Sequence, residues 1–170
     1  MADNFDKARG DETGNNQRQF LTFTVNNEEY GVDIMTVREI KGWTDTTRLP
    51  NSPEFMRGVM NLRGLIIPIF DLRARFRKEL TEANSKHVVI ILAVGERNIG
   101  ILVDAVSDIL SINESDIRPA PELETETSSD FISGLISLEK RMVVLLAVEK
   151  LFGADILRAT QSLTATTHAA

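Results

Sequence analysis

Cysteine is absent from the chain, which excludes disulfides, thiolate metal sites and cysteine nucleophiles and suits a cytosolic protein. Histidine is nearly so: His87 borders an apolar stretch, His168 lies near the end, and neither has metal-ligand spacing. Long hydrophobic runs are missing too. The longest, 88–94 and 142–148, have seven residues each, whereas a membrane helix needs about 20. The first residues, Met1-Ala-Asp-Asn-Phe-Asp, lack the basic start and apolar stretch of a secretory signal. No G-x-x-x-x-G-K-[ST] loop, G-x-G-x-x-G turn or G-x-S-x-G elbow occurs. The acidic residues of 114–130 do not have calcium-loop spacing. Catalysis therefore has no visible machinery, and neither a cofactor nor a metal is expected.

What remains is an ordinary globular balance: 170 residues, 42% apolar, 26% charged and a net charge of −6. The acidic total argues against nucleic acid, which requires a concentrated basic face. One basic run, Arg73, Arg75, Arg77 and Lys78, supports the alternative reading of a small nucleic-acid-binding barrel. It has no aromatic stacking platform, so a solvated face is the better account.

Residues 1–18 read as a flexible leader and 154–170 as a polar tail. Between them the pattern is all-β. Leu21, Phe23 and Val25 share one face of a strand, and Tyr30, Val32 and Ile34 alternate in the next. Ser52-Pro53-Glu54 has the form of a helix start, predicting a short helix over 53–57. Strands at 58–62 and 65–70 meet at Arg63-Gly64, and Pro68 predicts an edge or a bulge. Asp71 caps a helical turn, 77–86 is a linker, and 87–94 pairs with 99–103. Residues 113–130 form a long loop, and strands near 131–138 and 142–148 complete the set.

The sequence repeats itself. Tyr30-Gly31-Val32 with Val37-Arg38-Glu39-Ile40 matches Ile99-Gly100-Ile101 with Val106-Ser107-Asp108-Ile109 at an offset of 69 (31 to 100, 37 to 106). Phe55-x-x-Gly58-Val59-Met60-x-Leu62 matches Phe131-x-x-Gly134-Leu135-Ile136-x-Leu138 at an offset of 76 (55 to 131, 62 to 138). The seven extra residues of the second copy fall in the long loop. Each copy alone is marginal in size, so two small barrels sharing an apolar seam are expected, with Gly58, Gly64 and Gly134 at structural turns.

The stretch Asn61-Leu-Arg-Gly-Leu-Ile-Ile-Pro-Ile-Phe-Asp-Leu72 is the most specific in the chain. With Glu29-Tyr-Gly-Val-Asp-Ile34, Val37-Arg-Glu-Ile40 and Ile117-Arg-Pro-Ala-Pro121, it resembles the CheW family of bacterial chemotaxis coupling proteins over about 18–153. The resemblance implies two SH3-like five-stranded barrels on a common core with short helices, a first barrel near 26–85 and a second near 86–150. It implies a non-enzymatic cytoplasmic adaptor, recruited to membrane-associated arrays. There it links the cytoplasmic tips of methyl-accepting chemoreceptors to the regulatory domain of the histidine kinase CheA. The chain alone is expected to be monomeric, forming rings or arrays only with its partners. Val37 and Glu39, on either side of Arg38 in an extended segment, are expected to share a face; with Arg63 they are then expected to face the receptor, and Arg118 and Leu123 the kinase.

Overall fold

Among the described residues ten strands carry the fold, and they sort into two sheets that cut across the sequence halves. The computed structural model describes residues 16–77, 79–120 and 131–152. The strands are β1 (Gln17–Val25), β2 (Glu28–Asp33), β3 (Val37–Gly42), β4 (Met56–Leu62), β5 (Leu65–Asp71), β6 (Val88–Val94), β7 (Arg97–Val103), β8 (Ala105–Asn113), β9 (Ile132–Leu138) and β10 (Arg141–Leu146). Two short helices, α1 (Leu72–Arg77) and α2 (Val148–Leu151), follow β5 and β10. Single 3₁₀ turns lie at Ile34–Thr36 and Glu114–Asp116.

One sheet has the order β3-β6-β7-β5-β4 and the other β8-β1-β2-β10-β9. The first is an uninterrupted piece of chain, and the second is made of what lies on either side of it. The expected division at 85–86 therefore passes through both sheets. We call the nested unit the inner barrel and the flanking one the outer barrel. Under the two repeat offsets β1 to β5 map onto β6 to β10, and the two strand orders become identical.

Each sheet closes on itself. The chain leaving β3 returns at Thr47 to bond both backbone groups of Val59 in β4, at 2.9 and 2.8 Å. The chain leaving β8 does the same at Arg118 with Leu135 in β9, at 2.8 Å each way. Gly58 and Gly134 stand beside these closures, within β4 and β9, and not at turns. A Cβ on Gly58, whose φ is +130°, would lie 2.3 Å from the Thr47 carbonyl oxygen. One on Gly134 would lie 2.6 Å from Ile117 Cγ2 and 3.1 Å from the Arg118 carbonyl oxygen. The glycines are what lets the closing strand come near. Gly64 does occupy a turn, following Arg63 with both φ positive (52° and 88°).

The apolar side chains form three clusters. Met60, Leu62, Ile67, Ile69, Val89, Ile91 and Leu102 fill the inner barrel. Phe20, Ile136, Val143 and Leu145 fill the outer one. The largest cluster, including Phe23, Val32, Phe70, Ile90, Leu92, Ile101 and Phe152, lies between them and draws on strands of both. Fully burying a side chain of this size contributes about 1.5–3 kcal/mol, so the seam is the main adhesive between barrels too small to stand well alone.

Three local expectations change. No helix forms over 53–57: Ser52 donates to the Leu49 carbonyl, and β4 begins at Met56. The cap signal is local, while the Asp71 N–H bonded to the Phe55 carbonyl at 2.7 Å draws this stretch into the sheet. Pro68 sits in a strand interior to its sheet, not at an edge or bulge. It lies opposite Val59, whose N–H and C=O both point away to Thr47. Pro68 nitrogen thus faces β7, with which β5 pairs only from Ile69 to Asp71, so no ladder bond is lost. Strand β1 starts at Gln17, inside the segment read as a leader; residues 1–15 and 153–170 lie outside those described.

Asp71 behaves as its position predicts. Wholly buried, it accepts from Ala74 N–H at 3.3 Å, capping α1, and from the backbone and hydroxyl of Thr81 at 2.7 and 2.8 Å. Arg57 stands 3.5 Å away and supplies the countercharge.

Candidate docking cleft

At one mouth of the inner barrel the β4–β5 turn faces edge strand β3. Residues Asn61 to Gly64 make the turn, which the Asn61 side chain steadies by accepting from Gly64 N–H at 2.9 Å. Arg63, 72% exposed, reaches across to Glu39 with 2.6 Å between Nη2 and Oε1. The Arg63 hydrogen bond holds the Glu39 carboxyl below its ordinary range, and Glu39 in turn raises the guanidinium. Behind the pair lies a cleft of about 380 Å³ with Leu62, Leu65, Ile67 and Ile91 as its apolar walls and Arg38 and Asn98 at the rim.

Val37 does not share a face with Glu39. A bulge places Val37 opposite Leu92 and Glu39 opposite Ile91, neighbours that point to opposite sides. Val37 packs against the central cluster, while Glu39 turns to the cleft. Ile40 pairs with Ile90 and so lies on the Val37 side, 45% exposed. Strand β3 thus presents an apolar margin along the seam and a charged margin at the barrel mouth.

Of the two residues expected to face the kinase, Arg118 is exposed, and its backbone closes the outer barrel. Leu123 lies outside the described residues. The described members of the basic run, Arg73 and Arg75, are both engaged within the fold. Arg75 lies between the rings of Phe55 and Phe131, 5.7 and 5.4 Å from their centroids, and donates from Nε to the Leu151 carbonyl at 2.9 Å. Burial lowers its pKa. Arg73 donates to Asn26 Oδ1 at 3.3 Å and approaches Glu79 at 3.9 Å. The side chains of Arg77 and Lys78 fall outside the description.

Among the described residues no cluster of His, Asp and Glu could hold a metal, and no helix is long and apolar enough to cross a membrane. The CheW-like domain model matches residues 19–155. The chain belongs to the CheW-like family. It is 46% identical to the chemotaxis protein CheW of Klebsiella aerogenes, covering 81% of this chain and 83% of that one. Against the chemotaxis protein CheW of Rhizobium meliloti the identity is 40%, over 83% of this chain and 91% of the relative. The crystal structure of the scaffolding protein TtCheW from Thermoanaerobacter tengcongensis superposes with a TM-score of 0.74 at 31% identity, covering 81% of this chain and 94% of that one. This CheW-like chain is accordingly a chemotaxis scaffold and not an enzyme.

Sequence reasoning missed β8 and, with it, Asp108 and Arg141. Asp108 exchanges hydrogen bonds with Thr22, donating from its N–H to the hydroxyl at 3.1 Å and accepting from it at Oδ1 at 2.6 Å. Arg141 reaches Asp108 at 3.3 Å and Glu29 at 3.4 Å. The Thr22 bond, seconded by Arg141, lowers the Asp108 pKa. The repeat held the signal: Asp108 stands at Glu39 plus 69, and Arg141 at Leu65 plus 76.

Proposed function

We propose that this scaffold couples transmembrane chemoreceptors to the histidine kinase CheA, in the cytoplasm, at membrane-associated receptor arrays. The observation that carries the reading is the exposed Glu39–Arg63 pair beside an apolar cleft, on a chain of a chemotaxis scaffold family. A receptor's cytoplasmic tip is a helical hairpin in systems of this kind, and an amphipathic helix docks by apolar anchors flanked by polar contacts. Strand β3 offers both: Val37 and Ile40 on the seam side, Glu39 with Arg63 on the mouth side. The kinase contact falls to the segment that follows β8, at Arg118 and Leu123. An exposed arginine and an apolar residue on a segment stiffened by Pro119 and Pro121 are suited to a contact with little ordering cost. Two related barrels suit head-to-tail pairing with the barrels of the kinase's regulatory domain, a geometry that closes into rings.

The test is reconstitution of the chain with CheA and receptor-containing membranes, followed by phosphate flux. Receptor control of the kinase that depends on the chain supports the reading. Flux indifferent to the chain, with both partners active, removes it.

A further inference from the structure

The two barrels are related by the repeat residue for residue, so the inner cleft has a counterpart in the outer barrel. Strand registers make the mapping strict. Ile91 pairs with Gly100 as Thr22 pairs with Gly31, Leu62 with Leu65 as Leu138 with Arg141, and Gly58 with Ile69 as Gly134 with Leu145. At the outer mouth, Leu138 and Val143 stand where Leu62 and Ile67 stand in the inner one. Two other apolar walls have become polar: Ile91 is replaced by Thr22, and Leu65 by Arg141. Two rim groups have become acidic or stayed so: Asn98 is replaced by Glu29, and Glu39 by Asp108.

These four substitutions act together. Arg141 extends across the mouth, its Nε 3.4 Å from Glu29 on β2 and its terminal nitrogen 3.3 Å from Asp108 on β8. Asp108 in turn lies over Thr22, which is wholly buried, through the 2.6 Å hydroxyl bond. At the inner mouth the corresponding carboxylate, Glu39, is engaged by Arg63 from the β4–β5 turn, and a cleft with apolar walls lies behind the pair. The residue standing at the Arg63 position of the outer barrel is Glu139, which has the wrong charge to pair with Asp108 and leaves that carboxylate to Arg141.

We propose that Arg141 is a built-in plug: with Glu29, Asp108 and Thr22 it closes the outer barrel mouth from within, so that of two equivalent clefts only the inner one accepts an apolar side chain. A long arginine lays its methylene stem on apolar surface while its guanidinium satisfies carboxylates at the rim. It thus occupies, from within the chain, the space that a partner's side chain takes at the inner mouth. The plug leaves one open barrel-mouth cleft per chain. That the inner partner is a receptor hairpin rests on the reading above; the asymmetry of the two mouths does not.

The test uses methyl NMR of the full chain with two probes. The first, n-butanol, is a small apolar ligand that reports cleft access without any partner. In the natural chain it shifts the Leu65, Ile67 and Ile91 methyls and leaves Leu138 and Val143 unmoved. In Arg141→Leu, and in Glu29→Asn with Arg141→Leu, which copies Asn98 and Leu65 and leaves no unpaired Glu29, Leu138 and Val143 shift as well. An outer mouth that already takes butanol in the natural chain overturns the proposal. So does one that stays silent in a folded variant, as does an inner mouth without response. The second probe is a soluble receptor hairpin tip. It should bind once to the natural chain and, in the unplugged variant, also shift the outer-mouth methyls. If butanol behaves as described and the hairpin leaves the inner cleft unmoved, the receptor reading fails while the plug stands.

Discussion

Arg63 and Glu39, 24 residues apart, meet at 2.6 Å and so tie the β4–β5 turn to the edge of β3. Both side chains reach solvent, so the pair shapes a surface more than it supports the fold. Arg63→Ala or Arg63→His should leave the melting temperature within about 2 °C, as for other surface changes, while receptor-dependent kinase activation falls. Glu39→Lys should weaken receptor binding and spare kinase binding. A large loss of melting temperature, or equal loss of both partners, would make the pair structural.

The same pair has a pH signature. The Arg63 hydrogen bond lowers the folded-state pKa of Glu39 below its ordinary 4.5. The native chain therefore binds fewer protons there than the unfolded one. The contribution is fully present above pH 4.5 and is lost as pH falls through the depressed value. A carboxyl-carbon NMR titration should find the Glu39 midpoint below 4.5 and see it rise in Arg63→Ala. An unchanged midpoint in that variant would show that the two groups do not meet in solution.

Gly58→Ala should be the costlier of two matched substitutions, at about 2 kcal/mol or more. It meets backbone at 2.3 Å and requires a φ of +130°. Gly134→Ala meets first a methyl of Ile117, a side chain able to shift. Urea denaturation ranks them directly, and a reversed order would contradict the closure geometry.

The combined change Arg118→Asp with Leu123→Ser should weaken assembly with CheA while receptor binding persists. Pulldown with the kinase regulatory domain and with receptor membranes separates the two. Unaltered ternary assembly would place the kinase contact elsewhere on the barrels.

Separated at 85–86, the two halves should each be unfolded, and mixing them should restore a dispersed NMR spectrum. Both sheets take strands from both halves. A dispersed spectrum from one half alone would rule out this dependence.

Much of this architecture was legible because strands of a barrel alternate or run apolar, and because two offsets aligned the copies. What escaped has physical causes. Strand β8 carries Ser107 and Asp108 at a bulge against Thr22, which breaks the alternation by which a strand is recognised. The same irregularity near Arg38 set Val37 and Glu39 on opposite faces, against the period-two expectation. Ser52 and Pro53 imitate a helix start because capping chemistry is local, whereas the β-ladder that overrides it comes from distant residues. The Arg63–Glu39 contact itself is non-local and invisible to spacing, although each residue was singled out by its motif.

Nesting one barrel within the other also orders the birth of the protein. As the chain emerges from a ribosome, β1 and β2 appear first and can pair with each other, yet Glu29 must wait for Val143 and Phe20 for Leu110 before either has a strand on its other side. Meanwhile all five strands of the inner barrel have been delivered. The unit bearing Glu39 and Arg63 can therefore assemble while the outer one is still a lone hairpin. The outer barrel then closes around contacts distant in sequence, which form slowly. The unit that carries the cleft beside Glu39 and Arg63 thus comes into being early, and the last of the described strands to arrive, β10, brings Arg141.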